Sequence, residues 1–114
     1  MKGQVIIAGA GPGELDHLTV GVLRAIHEAD VILYDALIQP SIVAEFPASA
    51  EKIFVGKRCG NHAYTQTMII AAMIENALQG RRVLRLKGGD PSVFAHLASE
   101  LTALEALEIP VTIL

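Results

Sequence analysis

From one end to the other, this chain alternates short β-branched apolar runs with longer stretches whose apolar residues recur at helical spacing. Gln4–Ala8 is brief, rich in Val and Ile and followed by glycine, which predicts a buried strand. After a loop over Gly9–His17, Leu18–Ala29 sets Leu18, Val22, Leu23, Ile26 and Ala29 on one helical face. Val31–Tyr34 reads as a second strand and Pro40–Phe46 as a short helix, with Pro40 near its start and Pro47 ending it. Lys52–Val55 is a third strand. Thr65 is placed to cap a helix that runs to about Gln79, where Gly80 stops it. Arg82–Leu86 is a fourth strand, Val93–Leu107 a helix with an apolar side, and Val111–Leu114 a fifth strand.

A βαβαβαβαβ order predicts an α/β domain: a five-stranded, mostly parallel sheet flanked by helices on both faces, because each crossover helix must bury its apolar side on the sheet. The Val/Ile/Leu content of the strands suits burial on both faces. Hydrophobic residues make up 52% of the chain and charged residues 18%, enough apolar material for a real core. Trp is absent and Phe plus Tyr number five, so that core is aliphatic. Ligands of open α/β sheets bind beyond the carboxyl ends of the strands, which selects four loops: 9–17, 35–40, 56–64 and 87–92. The last predicted strand closes the sequence, which reads as a domain (residues 1–114) cut from a longer protein. The alternative is a complete small domain with an edge strand last.

A net charge of −3 excludes a generally basic nucleic-acid binder. The charge is uneven. Residues 57–87 hold six bases (Lys57, Arg58, Arg81, Arg82, Arg85 and Lys87) against Glu75 alone, and residues 88–114 hold four acids and no base. The basic third invites either an anionic ligand or a set of solvated strand-end and helix-end charges. The single cysteine, Cys59, excludes a disulfide scaffold and a multi-Cys zinc site. The histidines lack metal-ligand spacing, so no metal site is read. The longest apolar runs, such as Met68–Ile74, fall far short of the roughly 20 residues that span a bilayer. The N-terminus lacks the form of a signal peptide, so a cytoplasmic protein is expected.

Each of the four loops carries residues with chemical use. Gly9-Ala-Gly-Pro-Gly13 allows a sharp turn and close approach of a flat ligand, or is a tight turn only. Its spacing breaks the dinucleotide fingerprint at Glu14, and Pro12 lacks the N–H that a pyrophosphate would use. Asp35 follows the second strand, where a carboxylate can accept a ribose hydroxyl or a proton, or simply form a turn. Lys57 and Arg58 sit between glycines, suited to a carboxylate-rich substrate, to proton transfer by Lys57, or to solubility alone. In Lys87-Gly-Gly-Asp-Pro91 the glycines free backbone groups for a ligand, and Asp90 can bind a cation or cap the next helix.

Taken in order, Val5–Gly13 (VIIAGAGPG), Leu18-Thr19, Ala29–Leu37 (ADVILYDAL), Val55–Arg58 (VGKR) with Gly60, and Arg82–Pro91 (RVLRLKGGDP) resemble the tetrapyrrole methylase family. The likeness is greatest to its branch acting on uroporphyrinogen III, and it covers essentially the whole chain. It implies methyl transfer from S-adenosylmethionine to ring carbons of uroporphyrinogen III, giving precorrin-2 and S-adenosylhomocysteine for sirohaem or cobalamin synthesis. It also implies two α/β domains with the cofactor in the cleft between them, of which this chain matches the first, and a homodimer. No metal is implied. By resemblance, cofactor contacts fall on Pro12, Gly88, Gly89, Asp90 and Val93. Asp35 matches the proposed proton acceptor and Lys57 the proposed donor. Basic side chains are expected around a substrate with eight carboxylates. Arg81 and Arg82 lie at the far end of their strand and are not expected among them.

Where the family usually continues F-V-F-G-R-G-G-E-E, this chain reads Ser92-Val-Phe-Ala-His-Leu-Ala-Ser-Glu100, so His96 replaces an arginine and Ser99 a glutamate. A C-methyltransferase of another precorrin, a Rossmann-type nucleotide-binding module with Asp35 on a ribose, and a non-catalytic descendant are the alternatives.

Overall fold

The computed structural model describes residues 2–11, 13–56, 64–88 and 96–114. The five strands are β1 (Gln4–Gly11), β2 (Val31–Tyr34), β3 (Glu51–Phe54), β4 (Arg82–Gly88) and β5 (Val111–Ile113). The helices are α1 (Val20–Glu28), α2 (Pro40–Val43), α3 (Gln66–Leu78) and α4 (Leu97–Ala106), with a 3₁₀ turn at Leu15–His17. The sheet order is β3-β2-β4-β1-β5, and every pairing is parallel. The expected α/β architecture is therefore the one formed.

Strand alternation divides the core into two layers. On one face Ala8, Ile32, Leu84 and Leu86 pack against Val22, Ala25 and Ile26 of α1 and Ile42 of α2. On the other, Val5, Ile7, Val31, Leu33 and Val83 pack against Ile69, Met73 and Ala77 of α3 and Leu104 of α4. Thus α1 and α2 cover one face and α3 and α4 the other. Two threonines begin helices as capping residues: Thr19 Oγ1 accepts the Val22 N–H at 3.2 Å, and Thr65 Oγ1 accepts the Met68 N–H at 3.1 Å. The Thr19 cap explains why α1 starts at Val20 rather than Leu18.

Several boundaries differ from the sequence expectation. β1 runs on to Gly11 instead of stopping at Ala8, and it stays paired with β4 across an irregularity between Gly9 and Gly11. Gly11 takes φ +69°, a conformation that glycine adopts without steric cost. β4 likewise continues to Gly88, two residues beyond Leu86. β3 begins one residue early because the Glu51 N–H bonds the Asp30 carbonyl at 2.9 Å. α2 is only one turn, and Ala44–Phe46 follow as a turn. Val93, the expected start of the last helix, lies outside the described residues. Among the described residues, no helix is long and apolar enough to cross a membrane.

Leu104 and Met73 are completely buried. Leu104→Ala should lower unfolding free energy by about 2–5 kcal/mol in urea titration, the range for a cavity left by a core leucine. Thr65→Ala should cost about 1 kcal/mol, as for other lost N-caps. Equal, near-zero effects would contradict this assignment of core and cap.

Candidate active site

Parallel strands send every following loop to the same edge of the sheet. The chain leaves β1 and β2 toward the α1/α2 face, and β3 and β4 toward the α3/α4 face. In the order β3-β2-β4-β1-β5, both neighbours of β4 therefore lead to the face opposite its own. Ligands of open α/β sheets bind at such switch points, and here the switch point falls at the carboxyl end of β4.

Asp35 lies on that edge. Its Oδ1 accepts the Leu37 N–H at 2.9 Å, forming a local turn, and its Oδ2 accepts the Gly88 N–H at 3.1 Å. The turn-forming role and a cross-strand role thus coexist in one carboxylate, whose side chain is 19% exposed. The Gly88 N–H, expected to be free for a ligand, is committed to Asp35 instead, because β4 extends far enough to bring it alongside. Gly88 also has no room for a side chain: a Cβ there would lie 2.9 Å from both the carbonyl carbon and the Cβ of Leu37. Gly11, paired with Gly88 across the β1–β4 ladder, faces open space, with nothing within 4 Å of a Cβ placed there. Gly56, after β3, closes on the same edge, its Cβ position 2.9 Å from the Ala36 nitrogen. The Tyr64 N–H donates to the Val55 carbonyl at 3.1 Å, next to Gly56. The ends of all four strands are therefore contiguous. Of the sequence-predicted site residues, Asp35 and Gly88 touch. Pro12, Lys57, Gly89, Asp90 and Val93 lie outside the described residues.

Among the described residues, the bases of the middle third form neither an open anion field nor, at Arg85 and Lys87, solvated strand-end charges. Arg81 sits at the opposite edge, its Nη1 2.7 Å from Glu51 Oε1 and 2.7 Å from Asn76 Oδ1. Arg82 starts β4 at that edge, as expected. Arg85 and Lys87 point inward, 8% and 2% exposed. Lys87 Nζ is 2.7 Å from Glu100 Oε1, and Glu100, on α4, is fully buried. Arg85 lies between two carboxylates, with Nε 4.0 Å from Glu100 Oε2 and Nη1 4.0 Å from Asp35 Oδ2. Its Nη1 also donates to the Leu86 carbonyl at 3.2 Å. Burial pushes the Arg85 guanidinium below its ordinary pKa, and Glu100 and then Asp35 oppose that shift. Arg85 and Lys87 are therefore already paired inside the fold.

Glu100 escaped the sequence reading, though its signal was there. It stands three residues after Leu97 and four before Leu104, on the buried face of α4. Arg85 and Lys87, two apart on a strand buried on both faces, require an anion on their side of the sheet.

Residues 4–114 match the tetrapyrrole (corrin/porphyrin) methylases. The chain belongs to this family. It is 48% identical over 108 residues to a siroheme synthase of Ectopseudomonas mendocina, covering 95% of this chain and 23% of that protein. It is 44% identical over 111 residues to a uroporphyrinogen-III C-methyltransferase of Cyanidium caldarium, covering 97% of this chain and 44% of the relative. The crystal structure of the Thermus thermophilus uroporphyrin-III C-methyltransferase complexed with S-adenyl homocysteine superposes with a TM-score of 0.77 at 35% identity, over 98% of this chain and 44% of that one. The chain thus spans less than half the length of each. Two positions where it departs from the tetrapyrrole methylase pattern begin α4: His96 and Ser99 are exposed, and Ser99 Oγ donates to the His96 carbonyl at 2.9 Å.

Gly88→Ala should displace the turn at Ala36–Ile38 and destabilise the domain by about 1–3 kcal/mol, as overpacking does. Amide spectra of the labelled chain would show the displacement. Unmoved Leu37 and Ile38 resonances would mean that β4 and this turn are not in close contact.

Proposed function

We propose that residues 1–114 form one wall of the active site of an S-adenosylmethionine-dependent uroporphyrinogen-III C-methyltransferase. The supporting observation is the Asp35–Gly88 contact on the carboxyl edge of the sheet, at the switch point around β4, in a chain of the tetrapyrrole methylase family. The open space beside Gly11 and the partly exposed carboxylate of Asp35 suit the approach of a flat, uncharged portion of a cofactor.

S-adenosylmethionine supplies an activated sulfonium methyl. Transfer breaks its S–CH3 bond, forms a C–C bond at an electron-rich pyrrole carbon, and leaves S-adenosylhomocysteine. The methylated ring system must then lose a proton. Asp35 accepts it, and Lys57 returns one elsewhere. Asp35 is held for this task by two backbone N–H donors, so its carboxylate does not have to reorganise. Pro12, Gly88, Gly89, Asp90 and Val93 line the cofactor side. Two rounds give precorrin-2, which feeds sirohaem or cobalamin synthesis. The remaining length carried by the relatives supplies the opposite wall, which excludes water and aligns methyl and carbon. The reading includes a cytoplasmic homodimer, which sedimentation of the full-length enzyme would check.

The test is a chimera in which residues 1–114 replace the matching segment of the Thermus thermophilus enzyme. It should methylate uroporphyrinogen III, whereas the 114-residue chain alone should bind S-adenosylhomocysteine only weakly by calorimetry and turn nothing over. A folded chimera that binds cofactor without methylating this tetrapyrrole would overturn the substrate, and turnover by the chain alone would overturn the need for a second wall. Asp35→Asn in the chimera should lower methyl transfer by about 10²-fold, the scale of general-base catalysis. An unaltered rate would remove Asp35 from the chemistry.

A further inference from the structure

β4 carries Arg85 and Lys87 two residues apart, so both side chains lie on the face covered by α3 and α4. Burying two cations there is costly, and a well-packed apolar set of similar volume often serves stability as well or better. Among the described residues they face Glu100, fully buried beneath them, and Asp35, on the rim above. Among the described residues, two cations and two carboxylates form a chain of charges, Lys87–Glu100–Arg85–Asp35, that connects α4 to the carboxyl edge. Glu100 has no exposed surface and cannot touch a ligand. Neither of its carboxylate oxygens makes a hydrogen bond that would fix it to the backbone. Its interactions are electrostatic and point toward Lys87 and Arg85. The charge attraction falls off only as 1/r, so Arg85 is held between Glu100 and Asp35 at 4.0 Å from each. Lys87, paired with Glu100, immediately precedes Gly88, whose N–H the Asp35 carboxylate accepts.

We propose that Glu100 is a positioning residue for methyl transfer, which acts through Arg85 and Lys87 to hold the Asp35 carboxylate and the Gly88 end of β4 in reactive alignment. This rests on Asp35 being the proton acceptor. Removal of the Glu100 charge leaves Arg85 with Asp35 as its nearest anion among the described residues. The guanidinium then closes on that carboxylate and draws it from its two N–H donors. Glu100 thus balances a cation that would otherwise occupy the catalytic base.

The experiment is a double-mutant cycle in the chimeric enzyme, with Glu100→Gln and Asp35→Asn made singly and together. Glu100→Gln should lower kcat about tenfold, a coupling of the size neighbouring residues show, and leave the KM for S-adenosylmethionine within about twofold. In the Asp35→Asn background the same substitution should change kcat less than about twofold, because the base through which Glu100 acts is already gone. A purely structural role would lower the rate equally in both backgrounds, and that result overturns the proposal. If Asp35→Asn is slow but Glu100→Gln is not, the positioning role fails while Asp35 keeps its own. If Asp35→Asn retains the full rate, the role of Asp35 fails and the positioning role falls with it. Should Glu100→Gln not fold, the apolar pair Lys87→Met with Glu100→Met restores a neutral interior. That variant should fold with kcat lowered at least about tenfold, and an undiminished kcat would overturn the proposal.

Discussion

The parallel order β3-β2-β4-β1-β5 is the constraint from which the rest follows. It sends the connections after β1 to β4 to one edge, and it surrounds the end of β4 with strands that depart toward the other face. Two carboxylates fix that arrangement at opposite ends of β2. Asp30 Oδ2 accepts the Arg82 N–H at 2.8 Å where β4 begins, and Asp35 Oδ2 accepts the Gly88 N–H at 3.1 Å where it ends. The same strand pair is stitched twice by the same kind of bond. What separates the two sites is their surroundings. Asp30 faces the amino edge, whereas Asp35 stands at the switch point, beside a buried guanidinium, on the same edge as the open backbone of Gly11.

The interior of the sheet end is organised by charge more than by apolar packing. Arg85 and Lys87 interrupt a layer otherwise built from Val, Ile, Leu and Met, and α4 answers with a carboxylate in place of a leucine. An isolated buried ion would be severely unfavourable, so each member of the chain of charges depends on the others. Their shared geometry couples the helix that follows β4 to the carboxylate that follows β2. The aromatic side chains Tyr34, Phe46 and Phe54, in edge-to-face contacts at 5.2 and 5.4 Å, stiffen the neighbouring ends of β2 and β3.

Much of this was legible from local signals. Val/Ile runs ended by polar or glycine residues located all five strands, and Thr65 marked the start of α3 because its hydroxyl satisfies a free helix N–H. Strand ends were less legible. Gly9, Gly11 and Gly88 look like loop residues, but neighbouring strands supply ladder bonds that carry β1 and β4 through them. The role of the basic residues depended on partners distant in sequence. Two cations on a strand buried on both faces call for an anion beside them, but only the fold of α4 onto β4 shows that it is Glu100. Asp35 was identified correctly as a strand-end carboxylate. Its bond to Gly88 required the β2–β4 adjacency, which sequence order alone does not give.

The proposed methyl transfer puts the cofactor at the carboxyl edge around β4. Hydrogen–deuterium exchange of the chimeric enzyme, with and without S-adenosylhomocysteine, tests it directly. Ligand should slow exchange at residues 9–11, 35–38 and 86–88 and leave residues 2–4, 80–82 and 108–111 at the opposite edge unchanged. Protection confined to that opposite edge, with the β4 end unaffected, would contradict the account.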